Sequence, residues 1–348
     1  MHMHYFSGTV ITEDGAIEGY VCLEDGIVAE VSEGKCPKEP TARGIIIPPM
    51  INGHTHCADG GLKVPKDVSL NDLVGPDGLK HQFLRKTPND ILAKEIKGYS
   101  ELSQKNGIET FIDFREGGVA GSRLLREIVP SSLILGRPVS KEYDSNEIDD
   151  ILRYADGIGI SGIDDIDTAY VEAVSDQTHR NGKIFAIHAS EGVRDDIDSI
   201  MALSPSFLVH MASSQPSDLL RCVDEDVPIV VCPRSNRFFG LSPPLALMEE
   251  YGNITILGTD NAMICSPDLR AEAKEYISLL KSQGGTGEGI WNTMVFNGRK
   301  LLSDDKAISI CPGIKADIVV LPSKDGDANS MVESRERILR FNMTEKEM

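Results

Sequence analysis

The chain has 348 residues, of which 35 are Lys or Arg and 54 are Asp or Glu, for a formal net charge of −19. That length suits two ordinary domains, or one large barrel with an accessory domain, and a hydrophobic fraction of 41% excludes a disordered chain. The acidic balance argues against a nucleic-acid or anionic-membrane partner, since both need a basic patch.

No apolar run approaches the roughly 20 residues needed to cross a bilayer, and the N-terminal MHMHYFSGTV lacks the features of a signal peptide. Seven scattered cysteines without a CxxC fit a reducing compartment better than a disulfide framework. A cytoplasmic location is expected.

Residues 1–48 predict short strands with turns at Glu13-Asp14-Gly15 and Glu24-Asp25-Gly26. Residues 306–348 hold one more strand, over 316–321, and the two ends are expected to pair as a small composite β-sandwich domain. Between them, residues 49–305 alternate short apolar strands with amphipathic helices. The first strand is expected over 44–48, running on into Asn52-Gly53-His54-Thr55-His56. A stretch rich in Gly, Pro and Asp follows over 57–88. It is too long for an ordinary connection and is expected to be a lid.

A helix is predicted over 90–106, with Ile91, Ile96, Tyr99 and Leu102 on its buried face. Strands follow over 110–113, 133–135 and 157–160. A helix over 164–181 carries Ile166, Tyr170, Val171 and Val174. Strands over 184–187, 207–209, 229–231 and 254–257 complete a set of eight, and a last helix covers 268–283. Parallel neighbours need crossover connections, so this alternation predicts a parallel sheet, and eight strands predict its closure into a (β/α)₈ barrel.

The strongest chemical signal is Asn52-Gly53-His54-Thr55-His56. Residues i and i+2 of a strand point to one side, so two imidazoles converge on one point. Neutral imidazole is a good ligand for Zn²⁺ or Fe²⁺. Later strand ends add His188 with Glu191, then His210, then Asp260. Each alone could be structural, since a strand-end Asp often caps a helix. All of them lie at C-terminal strand ends, the rim where barrels place their active sites. His2 and His4 form the same HxH pattern at the N-terminus and are given no role.

With these motifs in place, the sequence resembles the amidohydrolase superfamily, in the branch of cytosine deaminase, guanine deaminase and chlorohydrolases. The matching stretches are IPPMINGHTH (47–56), HASE (188–191), VHM (209–211), CPRSN (232–236), LGTDN (257–261) and PGIKADIVV (312–320), in the family's order. The resemblance implies one divalent metal ion, Zn²⁺ or Fe²⁺, held by His54, His56, His188 and Asp260. It implies that His210 and Asp260 hold the water on that metal, either of them being a candidate first base, and that Glu191 shuttles protons to the leaving side of the substrate. The chain is short for this branch. Its fourth strand, over 157–160, has no Lys, which argues against a binuclear site with a bridging carboxylated lysine. The HxE…PCxxC pattern of the unrelated zinc nucleobase deaminases is absent.

These features lead to the expectation of a metal-dependent aminohydrolase that deaminates a nucleobase, nucleoside, pterin or similar heterocycle through a metal-bound hydroxide. A cyclic amidase or chlorohydrolase of the same superfamily is the alternative, and a non-catalytic scaffold relative is more distant. Arg115 and Glu116 after the second strand, Arg137 after the third, Ser161 after the fourth and Asn261 beside Asp260 are candidates to face the substrate. Phe83 in the lid is a candidate stacking partner. The expected partner is a small heterocyclic molecule, with no nucleic acid and no membrane, and assembly as a homo-oligomer is compatible with the sequence.

Overall fold

The computed structural model describes residues 2–163, 167–302 and 308–342. The chain opens with β1 (Met3–Thr12), β2 (Gly15–Glu24), β3 (Ile27–Glu33) and β4 (Ala42–Ile47). It then enters a series of short strands: β5 (Met50–His56), β6 (Ile108–Arg115), β7 (Leu133–Gly136), β8 (Gly157–Ile160), β9 (Ile184–Ala189), β10 (Phe207–His210), β11 (Ile229–Val231), β12 (Thr255–Leu257) and β13 (Asp260–Asn261). Two strands, β14 (Asp317–Leu321) and β15 (Leu339–Asn342), return at the end.

The terminal segments form one six-stranded mixed sheet in the order β15-β14-β4-β1-β2-β3, where the sequence suggests a sandwich. Phe6, Val10, Val21, Ile46, Ile318 and Val320 pack together on it. The strand expected to run unbroken from residue 44 to His56 is two strands. Pro48-Pro49 separates them, because a proline pair cannot continue a hydrogen-bonded ladder; β4 joins the mixed sheet and β5 the barrel. The last expected residues, 343–348, and 306–307 lie outside the described residues.

The other sheet is all parallel, ordered β12-β11-β10-β9-β8-β7-β6-β5-β13. Its two end strands are halves of one segment, parted only by Gly258-Thr259. The sheet therefore curls back onto its first strand, with Asp260 paired to Thr55 and the Thr259 N–H donating to the His54 carbonyl at 3.0 Å. This closure is tight. A Cβ on Gly258 would lie 2.9 Å from the Cβ of His54, and one on Gly53 would lie 2.7 Å from the Ile256 side chain. A buried hydrogen-bond set pins the same junction. The Asn52 side-chain amide donates to Thr259 Oγ1 (2.7 Å) and Tyr99 Oη (3.0 Å), and the Thr55 hydroxyl donates to Tyr99 Oη (2.7 Å).

The barrel interior is filled by Ile112, Phe114, Leu135, Phe207, Val209, Val230 and Ile256. Tyr99 comes from a helix whose observed span, Asn89–Lys105, nearly matches expectation. Its buried face is Leu92, Ile96, Tyr99 and Ser103, whereas Ile91 and Leu102 are exposed. The helix predicted over 164–181 is seen from Thr168 to Arg180, capped by Asp167; Ile166 lies outside the described residues. The last predicted helix spans Leu269–Ser282, capped by Asp268.

The segment over 57–88 is not wholly irregular. It contains two helices, α1 (Leu70–Val74) and α2 (Leu79–Lys86), which lie over the C-terminal ends of the strands. Among the described residues no helix is long and apolar enough to cross a membrane, and none of the seven cysteines is in a disulfide.

Candidate metal centre

β5 ends in His54 and His56, both buried and facing the barrel axis directly above Phe114, whose ring lies 4.6 Å from His54 and 4.8 Å from His188. β9 delivers His188, β10 ends in His210, and β13 begins with Asp260. His54 Nε2 stands 3.2 Å from His188 Nε2 and 3.3 Å from Asp260 Oδ1, and His56 Nε2 stands 3.6 Å from the same oxygen. Potential ligand atoms gather in two overlapping groups, His54–His56–His188 and His54–His210–Asp260.

The outer nitrogens of His56 and His188 are already committed, while His54 Nδ1 is buried with no partner among the described residues. His188 Nδ1 bonds to the Ile160 carbonyl at 2.9 Å, and His56 Nδ1 to the Phe114 carbonyl at 3.0 Å and Glu116 Oε1 at 2.8 Å. A carbonyl can only accept, so the proton sits on Nδ1 and each Nε2 turns a lone pair inward. Burial pushes His54 down to about 3 and His188 well below the ordinary imidazole range, so both are neutral. Burial and Lys80 pull His56 down, but Glu116 and Asp260 outweigh them and hold it above its ordinary value. Asp260 is buried, yet its bonds with His54 and the neighbouring imidazoles keep its carboxyl well below the usual range.

Converging imidazole nitrogens and a carboxylate form the donor set of a divalent-metal site. Ligand atoms placed tetrahedrally at ~2.1 Å from an ion are ~3.4 Å apart, and the spacings above bracket that value. The residues present fit the ion.

Around this centre the backbone is strained. Ser190, His210, Met211 and Asp260 all have positive φ, at 47°, 78°, 50° and 59°. Non-glycine residues in this region cost about 1–3 kcal/mol each and cluster at functional sites. Two of the four, His210 and Asp260, are residues of the centre itself.

Glu191 follows on the rim, its Oε1 3.5 Å from His210 Nε2, and burial raises its carboxyl above the ordinary range. His56, His188, Glu191, His210, Asp260 and Asn261 share one small cavity with Val74, Lys80, Arg137 and Ser161. Of the expected substrate-facing residues, Arg137, Ser161 and Asn261 therefore lie at the centre. The other three are elsewhere. Ile112 and Phe114 of β6 point into the barrel, so strand parity turns Arg115 outward, where it faces Asp113 and Glu116 and lines a neighbouring cavity. Glu116 stands behind His56. Phe83 lies against Gly61 and the core, and is not among the residues lining the centre.

Four further contributors stand around the centre; of these the sequence offered Asn236 as a residue that frames the pocket and Ser235 only as one that shapes the loop, and it gave no role to Asp113 or Lys80. Ser235 donates to Asp260 Oδ2 at 2.5 Å, and Asn236 meets His210 Nδ1 at 3.2 Å. Both lie in the CPRSN segment, which was the available signal. Asp113 accepts from the Cys57 N–H at 2.6 Å. Lys80, which is 3% exposed, bonds Glu116 at 2.9 Å. No pattern marks Lys80, because a lysine on a short polar helix resembles a solvated one.

No family model matches the chain. It is 35% identical over 272 residues to a protein described as "Putative aminohydrolase" from Archaeoglobus fulgidus, covering 78% of each chain. Its fold matches guanine deaminase from C. acetobutylicum with bound guanine, at a TM-score of 0.72 and 18% identity over 92% of this chain and 91% of that one. It also matches an atrazine chlorohydrolase from Arthrobacter aurescens complexed with zinc, at a TM-score of 0.74 and 14% identity over 96% and 92% of the two chains.

Proposed function

The chain belongs to the amidohydrolase superfamily, and from that premise we propose that it is a metal-dependent aminohydrolase that removes an amino group from a heterocycle. His54, His56, His188 and Asp260 would hold one Zn²⁺ or Fe²⁺. Such an ion, when bound, supplies Lewis acidity and lowers the pKa of a water to about 7.

The rest of the work falls to side chains. Hydrolysis at a ring C=N carbon needs a proton delivered to the ring nitrogen and later to departing ammonia. Glu191 is suited to hold that proton because burial favours its neutral form and raises its carboxyl above the ordinary range. His210 is oriented by Asn236 and stands beside Glu191 in the same cavity, where its Nε2 can exchange a proton with the reacting groups. Asp260, ionised and fixed by Ser235 and Asn261, is the second group able to accept one.

The observation that carries the reading is Glu191: a half-buried carboxyl, 3.5 Å from His210, in the same cavity as the imidazole cluster. A screen of metal-loaded protein against nucleobases, nucleosides, pterins and triazines, read as ammonia release, tests it. Chloride or carboxylate release in place of ammonia would assign the chlorohydrolase or cyclic amidase reaction instead.

A further inference from the structure

Arg137 follows β7 and lines the metal cavity together with two others. One has a volume of 270 Å³ and lies under α1; the other, of 410 Å³, lies beside α2 and the helix Gly118–Ile128. Its guanidinium makes one hydrogen bond, Nη2 to Ser161 Oγ at 2.8 Å, and has no ion pair among the described residues. The carboxylate that acts on it most strongly is Glu116, and that group is already committed to Lys80 and His56. The Arg137 side chain is half-buried, and burial pushes its guanidinium below the ordinary range, with Glu116 acting against that.

The 410 Å³ cavity repeats the pattern. Arg85, Arg115 and Arg137 line it, with Glu116 the carboxylate facing them and Leu84, Leu92 and Leu124 as apolar wall. Arg115 is answered by Asp113; Arg137 and the exposed Arg85 have no such partner among the described residues. In a chain of net charge −19, three arginines against one carboxylate is a local inversion of sign, and Arg137 is the wall residue this cavity shares with the metal cavity.

We propose that the substrate carries an anionic group, a carboxylate or phosphate, which seats on Arg137 and Ser161 where the metal cavity borders the arginine-lined one. A guanidinium matches either anion with paired hydrogen bonds, and the apolar wall suits the linking part of the molecule. The heterocyclic end rests on the aminohydrolase reading; the anion site stands on its own geometry.

Two measurements test the proposal separately from that reading. Calorimetric titration of the metal-loaded protein with inorganic phosphate and with acetate should show saturable binding of at least one, weakened at least tenfold in Arg137→Met and less in Arg137→Lys. Ser161→Ala should weaken it without unfolding the protein. Binding that is absent, or equal in wild type and Arg137→Met, overturns the anion site. Ammonia release is then compared for adenosine against its 5′-monophosphate and for pterin against pterin-6-carboxylate. A higher kcat/KM for the charged member, with KM raised at least tenfold by Arg137→Met, is the expected result. Faster turnover of the neutral member overturns the proposal and leaves the aminohydrolase reading intact. Arg137-dependent anion binding without ammonia release from any heterocycle does the reverse.

Discussion

Lys80 Nζ lies 2.9 Å from Glu116 Oε1, both side chains buried, and the same oxygen lies 2.8 Å from His56 Nδ1. A helix of the 57–88 segment is thereby tied to a candidate metal ligand through one carboxylate. Lys80 holds Glu116 ionised, outweighing the burial that would neutralise it, and Glu116 fixes the ring that presents Nε2 inward. Outer partners of this kind typically contribute 10–100-fold to metal affinity. Glu116→Gln and Lys80→Met should each weaken metal binding by about that factor in a competition titration with a chelating dye. Unchanged affinity in both would show that the Phe114 carbonyl alone orients His56.

Glu191→Gln should separate chemistry from metal binding. Glutamine fills the same space but has no acidic proton, and positioned acids contribute ~10²–10⁴-fold in rate. Turnover should fall by that order with metal content unchanged. His188→Ala should lose metal and activity together. Elemental analysis of both variants beside their rates is the check, and an emptied site in Glu191→Gln would make Glu191 a ligand.

One ion per chain is the expected stoichiometry, since the two candidate ligand groups share His54 and converge on one point. Because the ion binds the folded centre, it should stabilise the fold by about 2.7 kcal/mol when present at a hundredfold excess over its Kd. Chelation should lower Tm, and readdition of Zn²⁺ or Fe²⁺ should restore it. Two ions per chain by elemental analysis would contradict the single-site assignment.

Away from the centre, Asp218 sits buried at the start of the helix Pro216–Asp224 and accepts two hydrogen bonds from Arg194, at 2.8 and 2.7 Å. Those bonds hold its carboxyl below the usual range. A depressed carboxylate stabilises the fold above its unfolded pKa of about 3.9 and loses that contribution as pH falls through the folded value. Arg194 is partly exposed, which limits the effect to about 1 kcal/mol. Asp218→Asn should be less stable than wild type by that amount at pH 7 in urea denaturation, and the gap should narrow as pH falls below about 4. A gap that persists in acid would assign the loss to helix capping, not charge.

Much of the framework is determined by the sequence itself. Strand-end histidines, eight apolar segments and the helices between them are local patterns, and local patterns survive translation into one dimension. His54 and His56 share a side by strand parity; the same rule turns Arg115 outward, but it could be applied only once β6 was seen to send Ile112 and Phe114 into the barrel, and the expectation that Arg115 faces the substrate fell with it. What the tertiary structure alone decided concerns residues distant in sequence. Gly258 must lie against His54 for the sheet to close. Lys80 must cross from the 57–88 segment to Glu116, and Arg137 must be left with a hydroxyl where a carboxylate would ordinarily stand. Burial and charge compensation are properties of assembled neighbours, so a lysine that is a buried clamp and one that is solvated look alike in the chain until it folds.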